Sequence, residues 1–442
     1  MEKIKKLNII TGIVLAGFII AIIYHYILGN IFHLDYPYNT FLFNPKVRFS
    51  DFTINMYSIF RTNEFNPYNQ NWAYVNYFPF GVWIQYLFTK IPLLLSFLIF
   101  MITSIVYYGI YNYKNIKKFL PASCKFNIIT SFFIISFLSY PFLIWFDRAN
   151  FEILIFLFIS LFISFFAKEN YLISALILSI PIAIKGFPLI FLLLFLKKLK
   201  FKEIVYCLLA ASLLTFFSFL LMKGDLLTNL ICYSKQLKLY MNDYAIYNNG
   251  LGFGSSLFGI VKFIIFWMNG CFKSFVINDY FFGFTSFVYV CGSQIFDFIN
   301  KALTIFNPIS MLLSLAIFCY VFFIEKELWK QILLIVICSI IFMPVSGDYK
   351  LLHLLIPMWL FLNLQIKLKT DLIYTILFGL ILIPKNYLQF VDPNIPNSFF
   401  SISILINPII LSVMALIIIT EGFYTTQKKL CYKNDLKLFS EI

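Results

Sequence analysis

The sequence predicts an all-α polytopic membrane protein, and three observations lead to that prediction. Hydrophobic residues make up 61% of the 442 residues and charged residues only 12%. The mean hydropathy is +0.87, and a soluble fold could not bury that many apolar side chains. Several uncharged segments of about 17 to 22 residues are long enough, as helices, to cross ~30 Å of hydrocarbon. We therefore expect about 12 transmembrane helices joined by two large extracytoplasmic loops that contain short interfacial helices.

The basic residues set the predicted orientation. The net charge of +14 could by itself indicate a nucleic-acid partner. More than half of the 34 Lys and Arg residues, however, fall in short loops that alternate with longer, less basic ones. This asymmetry places the short loops in the cytoplasm and predicts no nucleic-acid partner. The apolar run after MEKIKK lacks a small-residue cleavage site, so we interpret it as a signal anchor.

Residues 1–222 are predicted to form the first transmembrane module. The module includes a long outer loop, 29–90, with short helices at 51–61 and 82–89, the second lying along the membrane interface. The fifth span ends at Lys185, because a glycine and a proline that break a helix follow it. The spans of this module are predicted, in order, at 9–28, 91–112, 126–145, 151–167, 171–184, 189–196 and 203–222.

A second outer region is predicted at 223–306, and a C-terminal set of helices at 307–442. Within the outer region, the apolar stretch 258–268 is expected to be interfacial or re-entrant. The C-terminal set comprises spans at 308–324 and 331–344, a span that begins just before His353, and two spans that end near Lys385 and Thr420.

Polar residues from distant parts of the chain are predicted to meet at the outer face. The first is Asp51, which lies in the polar stretch 49–81 just after the first span. The predicted topology also brings the turn 147–150, the break at Lys185 and the segment 346–353 to the same face. We expect these residues to form one extracytoplasmic site.

A lone carboxylate among cations suits the transfer of a sugar from a lipid phosphate. Such a reaction needs a base that takes a proton from the acceptor hydroxyl, and Asp51 is the candidate. It also needs cations that hold the departing phosphate, and Arg, Lys and His side chains provide them. The predicted phosphate ligands are Lys185, His353, Arg148 and Lys350, and the predicted substrate contacts are Asn150, Tyr77, Trp72 and Asn249.

Each assignment has a structural alternative. Asp51 is also a favoured N-cap for the helix that begins there. Lys185 could snorkel at a helix end, and His353 could be a packed core histidine. Arg148 could be a topological anchor paired with Asp147 or Glu152. No metal and no cofactor are predicted, since the acidic residues are dispersed and the cysteines lack metal-binding spacings.

Five short motifs carry a family resemblance. They are Asp51 followed by Asn66-Pro67-Tyr68 and Tyr77-Phe78-Pro79, the turn 147–150, Lys185 with Pro188, the segment 248–259, and His353 near Tyr349 and Pro357. With these motifs the chain resembles the GT-C fold glycosyltransferases, most closely the polyprenyl-phosphate-mannose-dependent mannosyltransferases of glycosyltransferase family 87. It departs from that pattern in having Asp147-Arg148 before Asn150, where a Gly-Gln pair is commoner.

The resemblance implies transfer of a hexose from a polyprenyl-phosphate donor to a lipid-linked or cell-envelope glycan. It implies a multi-pass protein of the bacterial plasma membrane with its site facing the periplasm or exterior, surrounded by membrane lipids. It also implies a catalytic base at Asp51, phosphate contacts at Lys185 and His353, and inversion at the sugar. Two other functions stay open, a polymerase or ligase of lipid-linked glycans and a flippase or transporter.

Overall fold

The computed structural model describes residues 2–43, 48–58, 66–69, 75–118, 125–247, 252, 254–270, 272–277, 281–286, 293–364, 370–388, 390–391 and 399–440. The chain is mainly helical, as predicted. In the N-terminal half the helices are α1 Glu2–Tyr26, α2 Ser50–Phe52, α3 Pro79–Phe88, α4 Leu93–Lys117, α5 Lys125–Phe137, α6 Tyr140–Arg148, α7 Glu152–Phe166, α8 Tyr171–Ile184, α9 Leu192–Lys197 and α10 Phe201–Leu220.

The C-terminal half continues the helical layer. Two of its helices begin with side-chain caps: Asp225 accepts from the backbone N–H of Thr228, and Ser256 accepts from that of Phe258. The helices are α11 Leu226–Met241, α12 Leu257–Met268, α13 Ser293–Phe323, α14 Leu328–Ile341, α15 Leu355–Asn363, α16 Asp371–Ile381 and α17 Ser403–Ser440.

A small sheet was not foreseen from the all-α prediction. Its strands are β1 Phe272–Ile277, β2 Phe281–Ser286, β3 Phe390–Val391 and β4 Phe399–Phe400. β1 and β2 pair antiparallel, β2 and β3 parallel, and β3 and β4 antiparallel. The sheet therefore joins the second outer region to the loop before α17. Sequence periodicity missed it because two of the strands have only two residues each.

The predicted count of 12 membrane spans is not confirmed. Among the described residues, five helices are long and apolar enough to cross a membrane, or six if the pair α5 and α6, bent by 50°, is one span. Helices of 14 residues such as α8 and α14 rise only about 21 Å at 1.5 Å per residue, which is short of the ~30 Å core. The long helices are Lys3–Ile31, Leu93–Lys117, Phe201–Leu220, Gln294–Phe323 and Ser403–Thr425.

Two boundaries can be compared directly with the prediction. α8 ends at Ile184, and a 3-10 helix, Phe187–Phe191, precedes α9, so the break predicted at Lys185 is present. α13 runs without interruption from the predicted second outer region, 223–306, into the C-terminal set of helices. The division of the chain into three regions stays a prediction.

The core is centred on α14. Every residue from Trp329 to Ile341 is buried, as expected for a helix that is apolar on all sides and surrounded by others. After α14, a 3-10 helix, Asp348–Leu354, carries Lys350 and His353. Its first residue, Asp348, is fully buried and accepts hydrogen bonds from Tyr140 Oη, at 2.8 Å, and from Ser255. These bonds fix the segment that carries the two basic residues.

A close backbone approach seats α3 against the end of α8. The N–H of Phe78 donates to the carbonyl of Ile184 at 3.0 Å. A Cβ at Gly81 would lie 2.7 Å from the same carbonyl oxygen, so the contact requires glycine. Because Tyr77 precedes α3 and Lys185 follows α8, this contact sets the distance between those two side chains.

Candidate active site

The carboxylate of Asp51 is held by three side chains. Its Oδ1 accepts from Arg148 Nη2 at 2.8 Å and from Asn55 Nδ2 at 3.2 Å. Its Oδ2 accepts from Asn150 Nδ2 at 2.6 Å. The side chain of Asp51 keeps 14% of its surface exposed. The predicted base is thus oriented by charge-assisted hydrogen bonds while it remains accessible.

The end of α6 explains how Arg148 and Asn150 reach Asp51. α6 ends at Arg148. Its C-cap residue, Ala149, adopts the left-handed conformation with φ 51° and ψ 46°, so the chain turns sharply there. Trp145 Nε1 donates to the carbonyl of Asn150 at 2.7 Å and fixes the turn. The carboxamide oxygen of Asn150 accepts from the N–H of Glu152 at 2.8 Å. This bond directs its Nδ2 toward Asp51.

Glu152 forms a second, fully buried centre. Its side chain has no exposed surface. Oε2 accepts from Lys185 Nζ at 3.2 Å, and Oε1 lies 3.0 Å from His353 Nε2. A carboxylate only accepts, so Nε2 carries the proton in that bond. His353 Nδ1 is buried and has no hydrogen-bond partner in the described part of the chain.

Lys350 lies beside this centre, and it forms no ion pair with another described residue. Its Nζ lies 4.9 Å from the ring centroid of Phe187, and the residue is only 5% exposed. Burial and the neighbouring Lys185 ammonium lower the pKa of Lys350 to about 8, although the Glu152 carboxylate opposes the shift. Lys350 therefore loses its charge under mildly alkaline conditions.

Tyr77 joins the two centres. Its hydroxyl donates to Asn150 Oδ1 at 3.3 Å, and Lys185 Nζ lies 5.1 Å from its ring centroid. The Asp51 centre and the Glu152 centre are therefore neighbours that share Asn150 and Tyr77. Together they place one accessible carboxylate next to a buried group of basic side chains.

A cavity opens over the Asp51 centre. It encloses about 980 Å³ of empty space, part of which is open to solvent. Its wall is rich in tyrosine, and the rings of Tyr240 and Tyr244 stack at 4.7 Å between centroids. The polar and aromatic residues of the lining are Asp51, Asn55, Asn76, Tyr77, Gln85, Arg148, Asn150, Phe151, Tyr240, Tyr244, Ser346 and Tyr349.

Not all predicted site residues lie in this wall. Lys185, Lys350 and His353 surround Glu152 and are not among the residues that line the cavity in the described chain. Arg148 pairs with Asp51 at 2.8 Å. Trp72 and Asn249, the other predicted substrate contacts, lie outside the described residues.

The sequence analysis did not assign a role at the site to Glu152 or to the tyrosines of the wall. Glu152 is the single charged residue at the start of the apolar run EILIFLFISLF, and an isolated charge of that kind marks a functional position in a membrane protein. Tyr240 and Tyr244 are four residues apart, a spacing that places both rings on one face of a helix. No cluster of three or more His, Cys, Asp or Glu residues able to hold a metal occurs among the described residues.

Comparison with known proteins gives one match. Residues 74–236 match the model of glycosyltransferase family 87. The match covers somewhat more than a third of the chain. No curated protein and no solved structure gives a significant match. The matched segment contains Tyr77, Arg148, Asn150, Glu152 and Lys185, and Asp51 precedes it. This match confirms the resemblance to glycosyltransferase family 87 and indicates that the protein is a membrane glycosyltransferase.

Proposed function

We propose that the protein transfers a hexose, mannose by family resemblance, from a polyprenyl-phosphate donor to a lipid-linked or cell-envelope glycan. Asp51 is the general base. One observation carries the proposal: an accessible carboxylate, oriented by Arg148 and Asn150, lines a cavity next to a buried group of basic side chains.

Among the described residues, the partners of Asp51 leave one of its acceptor sites for the proton that a base must take. A carboxylate offers about four lone-pair sites, and three of those of Asp51 are occupied by Arg148, Asn55 and Asn150. The fourth, on Oδ2, accepts the proton of the acceptor hydroxyl. The hydroxyl oxygen forms the bond to the anomeric carbon as the bond from that carbon to the phosphate oxygen breaks. A single displacement of this kind inverts the anomeric configuration.

The basic residues receive the negative charge that develops on the departing phosphate. Within the described part of the chain, Lys185 uses one of its three N–H donors on Glu152, and the other two are proposed to bind the phosphate. His353 uses Nε2 on Glu152 and presents Nδ1 as a further contact. Lys350 contributes charge. Arg148, which pairs with Asp51, contributes the positive charge of its guanidinium.

The tyrosine wall of the cavity supports the sugar. Tyr77, Tyr240, Tyr244 and Tyr349 combine an apolar ring with a hydroxyl, a chemistry that suits the faces and edges of a hexose. Asn150 contacts the sugar or the acceptor from the same wall. Trp72 and Asn249 are proposed to complete the substrate contacts.

The site is proposed to face the periplasm or exterior of a bacterial plasma membrane. The support is the excess of Lys and Arg in the short loops on the opposite side. An impermeant thiol reagent tests this orientation on intact cells. Asn55→Cys, in the cavity wall, should react from outside, whereas Lys198→Cys, in the basic loop after α9, should react only after the membrane is opened.

A donor assay tests the function itself. The purified protein should transfer hexose from a prenyl monophosphate, and Asp51→Asn should reduce the rate at least about 100-fold, the usual contribution of a general base. Asp225→Asn, an exposed residue that caps α11, is the matched control, because asparagine caps a helix equally well. The folded state of each variant is checked by its melting temperature.

Three results would contradict the proposal. Full activity of Asp51→Asn would remove the mechanism. Use of the diphosphate donor alone would favour a polymerase or ligase of lipid-linked glycans. Reaction of Lys185→Cys from both sides of the membrane, without transfer activity, would favour a flippase or transporter.

A further inference from the structure

We infer that Glu152 is a positioning residue, which holds Lys185, His353 and Lys350 as one basic cluster ready for the donor phosphate. This inference rests on the proposed function. Its geometric basis is that one carboxylate without exposed surface binds two basic side chains from different parts of the chain, one with each oxygen.

The buried location makes the carboxylate necessary to the cluster. Burying a cation without a partner is costly, so an ammonium in such a place tends to lose its proton. Lys185 and Lys350 also repel each other, since each lies in the field of the other. A negative charge between them compensates both effects. Glu152 provides it from the first turn of α7, where the helix dipole favours a carboxylate.

The hydrogen bonds within the cluster engage only some of the ring and ammonium nitrogen sites of Lys185 and His353 in the described chain. Glu152 accepts one N–H of Lys185, and the buried His353 Nδ1 has no hydrogen-bond partner among the described residues. The cluster therefore orients its cations without saturating them. The ionisable groups that face it from the packed elements are Lys185, Lys350 and His353 around the carboxylate, and Tyr77, Tyr240 and Tyr349 on the side of the cavity.

The backbone of Glu152 is also connected to Asp51, the proposed base, through hydrogen bonds of Asn150. Its N–H donates to Asn150 Oδ1, and Asn150 donates in turn to Asp51. A substitution of the side chain keeps this N–H. Glu152→Gln therefore isolates the role of the carboxylate charge from the role of the turn that positions Asp51.

The pH dependence of ligand binding tests the inference. The probe is farnesyl phosphate, a prenyl monophosphate, with farnesol as the uncharged control and inorganic phosphate as the control without a tail. In the full-length protein, farnesyl phosphate should bind more tightly than either control, and binding should weaken as the pH rises through the range in which Lys350 loses its proton. We call the pH at which binding is half lost the midpoint. In Glu152→Gln the midpoint should fall by about one pH unit or more, the usual effect of removing a nearby opposite charge.

Two further variants make the result specific. Glu152→Asp keeps the charge, so its midpoint should lie close to that of the wild-type protein. Glu325→Gln also removes a buried carboxylate, but one bound to Tyr320 and to the backbone of Glu327, away from the site. It should leave the midpoint unchanged. A role limited to folding would lower the fraction of protein that binds and leave the midpoint in place.

The failures can be told apart. If the wild-type protein binds farnesyl phosphate and the midpoint is the same in Glu152→Gln, the inference about Glu152 is wrong and the proposed function stands. If the wild-type protein binds farnesyl phosphate no better than farnesol, the donor class is wrong, and the inference is overturned with it.

Discussion

Asn150 Nδ2 donates to Asp51 Oδ2 at 2.6 Å, across 99 positions of the sequence. The bond joins the helix that begins at Ser50 to residues 74–236, the segment that matches glycosyltransferase family 87. The proposed base lies before that segment but is held by residues within it. The geometry of the base therefore depends on the turn between α6 and α7, and this dependence leads to the first prediction.

Asn150→Ala should reduce kcat by about tenfold or more, corresponding to roughly 1.4 kcal/mol, because Asp51 loses the donor that fixes Oδ2. Asn55→Ala removes the longer bond to Oδ1, at 3.2 Å, and should have a smaller effect. Initial rates with a saturating prenyl-phosphate sugar donor measure both. An Asn150→Ala enzyme as fast as the wild type would show that this bond does not orient the base.

Arg148 is proposed to serve both the base and the phosphate, so its variants should separate charge from geometry. Arg148→Lys keeps the charge but loses the fork that can bind two groups at once, and we expect both a slower reaction and a higher donor KM. Arg148→Ala should be less active than Arg148→Lys, because Asp51 then loses its ion pair with residue 148. Steady-state kinetics of the two variants test this order. Equal kinetics of Arg148→Lys and the wild type would mean that charge alone suffices.

The polar residues of the site could be predicted from the sequence because membrane proteins contain few of them. Asp51, Arg148 and Asn150 stand out in an apolar chain, and the alternation of loops predicts that they lie on one face. In the structure, hydrogen bonds connect residue 51 to residues 148 and 150, while their catalytic role stays a prediction.

Two features of the structure could not be predicted from the sequence. Glu152 was considered only as a partner for Arg148, because periodicity does not show that α7 starts beside the 3-10 helix that carries His353. The span count could not be fixed from hydropathy, because short helices can be as apolar as those long enough to cross a membrane. Whether a helix of 14 residues crosses a membrane or packs inside the protein depends on its neighbours, as the burial of α14 shows.

The lowered pKa of Lys350 predicts that kcat/KM for the donor depends on pH. Its folded-state pKa is lowered to about 8 from 10.5, so the charged form is lost as the pH rises through about 8. The value of kcat/KM for the donor should fall above that pH, since this quantity reports groups of the free enzyme. Lys350→Arg should abolish the decline, because arginine stays protonated.

The same shift has the opposite effect on stability. Between about pH 8 and 10.5 the unfolded chain binds more protons at this lysine than the folded protein does, so Lys350 makes the folded protein more stable as the pH rises. A fall in kcat/KM without a fall in melting temperature would therefore support loss of the charge. A parallel fall of both quantities would instead indicate unfolding.

Gly81 tests whether the contact between α3 and α8 positions the site. Gly81→Ala places a Cβ 2.7 Å from the Ile184 carbonyl oxygen, and a backbone atom cannot move aside as a side chain can. We expect a loss of about 1–3 kcal/mol in the free energy of unfolding and a higher donor KM, because Lys185 follows Ile184 directly. Gly12→Ala in α1 meets no atom within 4 Å and is the matched control. Thermal unfolding in detergent compares the two, and equal melting temperatures would show that α3 can shift without disturbing the end of α8.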